Sequence, residues 1–282
     1  MSYLSQVDAP QTMQKGQRIA IAGQEGTGKT TTISQAPGRL FIPMEVGGSN
    51  IPKSTPLLRR WEDVVGLTDE CIADAQAGRF AYKSMSWDSA TAAERLLHDF
   101  TVRNDPDVLA GKKIAGKLSM ESSHGGYGKA YIYANDRWAE WLAKLDLLCE
   151  YGGVNQFFSC HVFSNKVIDP TVGEYDAWDI LLHSPKNAKT QGKREHFSQW
   201  LDMIGFMHSP LLVSKGEKFS QAMDAGQGRV MLVDRTPSAV AKNRYDLVQP
   251  ISIPRDNGWN AVAGAIWESK KGTIDLWNRD AV

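Results

Sequence analysis

Cysteine is scarce in this chain. Cys71, Cys149 and Cys160 are odd in number and widely spaced among apolar neighbours. That excludes a disulfide framework and predicts reduced, packed thiols. Neither C-x-x-C nor H-E-x-x-H occurs, so the sequence offers no metal cage of its own. Neither sign of charge is in excess: 32 basic and 32 acidic side chains give a formal net charge of zero. A global electrostatic signal for nucleic acid is therefore missing, and such binding would have to come from local patches. No apolar run approaches the roughly 20 residues a membrane helix needs. The N-terminus lacks a signal-peptide pattern. Repeats and low-complexity tracts are absent as well. These absences point to a soluble, cytoplasmic protein without a membrane partner.

What is present is a core-forming composition, 42% hydrophobic over 282 residues, and one motif of high specificity. Gly23-Gln24-Glu25-Gly26-Thr27-Gly28-Lys29-Thr30 reads G-x-x-x-x-G-K-T and directly follows the apolar run Ile19-Ala20-Ile21-Ala22. A strand leading through a glycine-rich turn into a helix is the context that a phosphate-binding P-loop requires. Glycines let successive backbone N–H groups converge on phosphate oxygens. Lys29 is placed to reach the β- and γ-phosphates, and Thr30 to hold Mg²⁺. Residues Gly23 to Thr31 are accordingly the expected nucleotide-binding set, with ATP and Mg²⁺ as cofactors.

Around this loop the chain alternates strand and helix. Residues 1–16 read as a polar arm, 17–22 as the first strand and 29–35 as the helix after the loop. The run 39–44 follows as a strand made edge-like by Pro43. A helix is predicted over 61–77, a strand over 82–87 with Asp88 at its tip, and a helix from a Thr91-x-x-Glu94 capping box to Phe100. Glycines and lysines make 103–129 an insertion or mobile loop. Trp138, Trp141, Leu142, Leu145 and Leu148 form the stripe of an amphipathic helix over 134–151, and the Trp pair reads as core. A strand over 154–162 carries Cys160-His161, and 163–197 reads as a long, polar, lysine-rich connection. Short strands near 206–207, 211–213 and 230–233 and a helix over 259–267 close the chain. The alternation predicts an α/β fold with a mostly parallel, helix-flanked sheet. Ligands in such sheets bind at the carboxyl ends of strands, where the P-loop, Glu45, Asp88 and His161 all fall.

Each tip residue has chemistry suited to a triphosphate. Asp88 ends a strand before a hydroxyl residue, as a carboxylate opposite the P-loop Thr does when it holds Mg²⁺; a helix N-cap is the alternative. Glu45 suits a water-activating base, or is a rim carboxylate. His161 suits a γ-phosphate sensor, or is a satisfied structural histidine. Lys29 and His161 join Glu45 as the expected catalytic set. Lys166, Lys186, Lys189, Lys193 and Arg194, interleaved with Tyr175, Trp178, His183 and His196, suit contact with a single-stranded backbone and bases. A charged, solvated loop has the same composition. Lys129, closing the Gly125-Gly126-Tyr127-Gly128 stretch, belongs to a second such loop. Lys242 and Arg244 suit a trans-acting role at a neighbour's nucleotide, or are surface cations.

With GQEGTGKT at 23–30, FIPME ending at Glu45, SMSWDS around Asp88, FFSCH ending at His161 and VDRTPSAVAKNR ending at Arg244, the chain resembles the RecA-like P-loop ATPases. It is most similar to the phage-type ATPases of single-strand annealing and recombination. The resemblance implies a RecA-like ATPase domain over 17–250, an N-terminal arm over 1–16 and a C-terminal extension over 251–282 packed on the core. It implies catalytic Glu45, a metal-side Asp88, and DNA-contacting loops after His161 and near 120–129. It further implies a homo-oligomeric ring or filament with ATP between subunits, and single-stranded DNA and a single-strand binding protein as partners. Two other readings stand beside it: a nucleotide-switched assembly factor and a small-molecule P-loop phosphotransferase.

Overall fold

A computed structural model describes residues 15–47, 51–52, 54–113, 116–185, 191–215, 220–224 and 228–277, the side chains of 211–215 and 220–224 excepted. In chain order the elements are β1 (Arg18–Ala22), α1 (Lys29–Ser34), β2 (Arg39–Pro43), α2 (Trp61–Gln76), β3 (Ser84–Asp88), α3 (Ala90–Arg103), α4 (Pro106–Leu109) and α5 (Lys129–Gly152). They continue with β4 (Asn155–Cys160), β5 (Val162–Asp169), β6 (Gly173–Ile180), α6 (Lys193–Trp200), β7 (Met203–His208), β8 (Leu211–Lys215) and β9 (Ser220–Asp224). The last are β10 (Arg229–Leu232), β11 (Lys242–Asn243), β12 (Ile251–Ile253) and α7 (Gly258–Ser269).

The central sheet runs β12-β10-β7-β1-β4-β3-β2, with β11 also on β7. Strands β2, β3, β4, β1 and β7 are parallel, whereas β10, β11 and β12 pair antiparallel. This is the expected mixed α/β, P-loop NTPase architecture. Both faces of β1 and β4 are covered, which is why their sequences are apolar runs rather than alternations. One face packs Ala20, Trp87 and Phe158 against α2, α3, α5 and α6. The other packs Ile19, Ile21 and Phe157 against Ile33 of α1 and Trp259, Val262 and Ile266 of α7. Residues 251–277 thus add an edge strand and a helix to the main sheet.

The aromatic stripe of α5 is core. Trp141 meets Trp87 edge-on at 5.2 Å between ring centroids and Trp61 at 5.4 Å. Its indole N–H donates to Thr68 Oγ1 at 3.1 Å, whereas the indole N–H of the neighbouring Trp138 is buried without a hydrogen-bond partner. At the amino ends of the strands, Arg18 ties β1 to Asp202 before β7 (2.9 Å) and to Asp146 on α5 (3.0 Å). Burial pushes the thiols of Cys71 and Cys149 up to about 12, and all three cysteines are free and buried.

Three expectations need correction. The N-cap of α3 is Ser89, whose Oγ accepts from Ala92 N–H, rather than Thr91. Glu94 is instead turned into the protein, accepting from His183 N–H at 2.8 Å. Helix α5 starts at Lys129, five residues before the apolar stripe becomes regular. The stretch after His161 is ordered as the antiparallel hairpin β5–β6, in register from Val162↔Ile180 to Asp169↔Gly173. Its carboxylates and lysine disguise a strand pair, although Asp169-Pro170-Thr171 and Gly173 (φ +92°) supply ordinary turn chemistry.

Trp141→Ala removes the ring shared by α5, α2 and β3. We expect a loss of about 3–5 kcal/mol in urea unfolding, and an unchanged midpoint would contradict this account of the core.

Candidate nucleotide-binding and catalytic site

Parallel pairing brings four strand ends level. Ala22 pairs with Cys160, Ser159 with Asp88, and Asp88 with Pro43. The P-loop leaves β1 at Gly23, whose missing side chain is required: a Cβ there would lie 2.4 Å from the carbonyl oxygen of Met207 on β7. Gly28 caps α1 at φ +94°, a left-handed conformation that glycine alone adopts without strain. Lys29 is buried, and its Nζ donates to the carbonyls of Gly23 (2.8 Å) and Gln24 (2.7 Å). Burial lowers its pKa. Among the described residues the lysine is thus a desolvated cation hydrogen-bonded only to neutral carbonyls of its own loop.

Asp88 is 8% exposed and accepts at Oδ1 from Thr30 Oγ1 at 2.9 Å and from Ser159 Oγ. Burial raises its pKa against those two hydrogen bonds. A buried carboxylate joined to the P-loop hydroxyl, with no cation paired to it among the described residues, fits Mg²⁺. Among the described residues no group of three or more His, Cys, Asp or Glu side chains gathers as a metal cage. A Mg²⁺ at this place would be held by one carboxylate, one hydroxyl, phosphate oxygens and water. Thr30 and Asp88 would hold it, and it would supply neutralising charge to a polyphosphate.

Glu45, just past β2, accepts from Ser89 Oγ and lies 3.1 Å from His161 Nε2 and 3.5 Å from Arg95. The hydrogen bond from His161 is the main cause holding its pKa down to about 2, with Ser89 and Arg95 helping and burial opposing. A carboxylate this well satisfied is a poor base. To accept a proton from water it must exchange one of these partners. His161 is itself positioned by its N–H, which donates to Thr91 Oγ1 at 3.2 Å.

Lys29, Thr30, Thr31, Glu45, Asp88, Ser159 and His161 share a cavity of about 320 Å³ with Glu25, Gly26 and Gly28. A second cavity of about 670 Å³ adjoins it across Glu45 and His161, reaching Arg95, Val162, Trp178 and Leu181. The expected P-loop, metal and catalytic residues therefore meet in one place. Ser89, Arg95 and Ser159 were not anticipated; only the hydroxyl after Asp88 signalled any of them.

The other expected site residues lie elsewhere. Lys193 is fully buried, 3.5 Å from Glu94 and 3.2 Å from Asn135 Oδ1, so it cannot touch a nucleic acid; this corrects the expectation. Arg194 is held by Asp179 (3.0 Å) and Glu195 (3.1 Å), and Lys166 by Glu174 across the hairpin (2.9 Å). Lys186 and Lys189 lie outside the described residues. Lys129 is exposed and has no ion-pair partner among the described residues. Lys242 and Arg244 sit at the amino end of β7, opposite the P-loop. There Arg244 pairs with Asp202 at 2.7 Å and Lys242 donates to Gln199 O at 3.5 Å.

A family model described as an AAA domain matches residues 15–245, most of the chain and the whole of this site. No curated protein matches the sequence.

Because Glu45 is depressed, it stays ionised down to about pH 2. Any stability it confers is complete above its ordinary 4.5 and lost as pH falls toward 2. His161→Ala removes the largest cause, so the Glu45 carboxyl midpoint, read by ¹³C NMR, is expected to move up toward 4.5. A midpoint that stays in place would refute the clamp.

Proposed function

The chain belongs to the AAA domain family, and we propose that it is an Mg²⁺-dependent ATPase whose turnover acts on single-stranded DNA in phage-type annealing or recombination. Hydrolysis would use Lys29 and the P-loop N–H groups to hold the phosphates, Glu45 to activate water, and His161 to report the γ-phosphate. The chemistry is positioning and charge stabilisation, which this set of side chains supports.

The observation that carries the DNA reading is the turn before α5. His124, Gly125, Gly126, Tyr127 and Gly128 all have φ between +55° and +84°. This left-handed run presents Tyr127 with its side chain fully exposed. Lys129, next after Gly128, is exposed and has no carboxylate partner among the described residues. An exposed aromatic beside an unpaired cation suits base stacking and backbone contact. His124 anchors the turn through Nε2 to Thr101 O (2.8 Å) at the far end of α3. The near end of α3 carries Ser89 and Arg95, which grip Glu45. One helix thus links the γ-phosphate side of the site to the turn.

Assembly into a ring or filament is part of the proposal. Lys242 and the half-exposed Arg244 face away from their own P-loop, as groups reaching a neighbour's nucleotide must. A nucleotide-switched assembly factor is the second reading. Its support is the hairpin, where Asp169, Glu174, Asp176 and Asp179 outnumber Lys166 and would repel a phosphate backbone.

ATP hydrolysis is expected to rise with single-stranded DNA at low salt, with binding that weakens steeply as salt is added. Tyr127→Ala should weaken DNA binding in fluorescence anisotropy by roughly 5- to 150-fold, from about 1–3 kcal/mol of stacking. Turnover without any DNA binding or stimulation would reject the DNA reading in favour of the switch.

A further inference from the structure

Arg229 belongs to no motif and lies two hundred residues from the P-loop, yet its guanidinium rests on that loop. Strand β10 delivers it from the antiparallel side of the sheet, where Arg229 pairs with Ile253. Nη1 donates to Thr27 O at 3.4 Å and Nη2 to Pro254 O at 2.6 Å. A Cβ on Gly28 would fall 1.8 Å from Nη1, so the P-loop glycine and this arginine are fitted to each other. Nε is buried and has no hydrogen-bond partner.

No carboxylate lies within ion-pair distance of Arg229 among the described residues; Asp256 acts on it only at longer range, and Arg255 repels it. Arg18 grips Asp146 and Asp202, and Arg194 grips Asp179 and Glu195; Arg39 shares the lack of an ion pair among the described residues, but its guanidinium donates to Pro52 O (3.4 Å) and not to the P-loop. Burial also lowers the pKa of Arg229. Withdrawing a cation from water without a counter-ion is unfavourable. Here the unsatisfied cation touches the loop built to receive a polyanion.

We propose that Arg229 is a nucleotide ligand supplied in cis, a third positive group beside Lys29 and Mg²⁺ that contacts the phosphate chain of a bound nucleoside di- or triphosphate. The long hydrogen bond to Thr27 O is the contact it exchanges for phosphate oxygen. This rests on the P-loop being a nucleotide site.

The test is calorimetric titration of the full chain with Mg-ADP and with a non-hydrolysable ATP analogue, comparing wild type with Arg229→Gln, Arg229→Lys and Arg229→Ala. Loss of one charge-assisted hydrogen bond predicts a Kd raised about ten- to hundredfold in Arg229→Gln and Arg229→Ala, with partial rescue in Arg229→Lys. Arg229→Gln keeps donors for Thr27 and Pro254 but not the charge, so it separates a phosphate ligand from a structural tie. Its binding should also depend less on salt than that of wild type. If Arg229→Gln binds both nucleotides as tightly as wild type, with the same salt dependence, the proposal is overturned. Should wild type itself bind neither nucleotide, the reading of the P-loop falls instead.

Discussion

Parallel register is the constraint on which everything else depends. β4 lies between β1 and β3, and the three strands end level, so Thr30 at the foot of α1 meets Asp88 across Ser159. β2 extends the same alignment outward and sets Glu45 beside Ser89. A shift of one residue in any of these pairings would invert the faces of the strand and remove its tip from the cluster. The register is fixed by burial on both sheet faces, with the tryptophan layer under α2 and α5 on one side and Trp259 against Phe157 on the other.

The electrostatics of the aligned tips follow from that packing. Among the described residues, Lys29 and Asp88 are buried without an opposite charge at ion-pair distance, and burial pushes each toward its neutral form. Glu45 is the reverse case, a carboxylate held ionised chiefly by His161 just after β4, with Ser89 and Arg95 at the start of α3 helping. Two groups are thus short of partners that a magnesium nucleotide would supply, while the third already has its partners within the protein. α3 carries Ser89 and Arg95, which contact Glu45, at one end and receives His124 of the exposed turn at the other.

Much of this was legible in the sequence, for identifiable reasons. The P-loop declares itself because backbone geometry restricts its residues at fixed spacing, and Glu45, Asp88 and His161 follow from counting strands and looking at their tips. Trp138 and Trp141 were legible as core from helical periodicity. Lys193 was misread because composition reports charge but not burial; its partner Glu94 is about a hundred residues away and had been assigned to a helix cap. The hairpin hid behind Glu174, Asp176 and Asp179, residues seldom favoured in strands. Arg229 was invisible because its contact with Gly28 is made only by antiparallel addition of β10 to the far side of β7.

The central claim is that the aligned strand tips form a hydrolytic ATP site in which Glu45 activates water. It is tested most directly by measuring Mg-ATP affinity and single-turnover hydrolysis on Glu45→Gln. The account predicts that Glu45→Gln retains Mg-ATP binding while hydrolysis falls by at least about a hundredfold, the usual contribution of a general base. Hydrolysis at the wild-type rate in Glu45→Gln would contradict it.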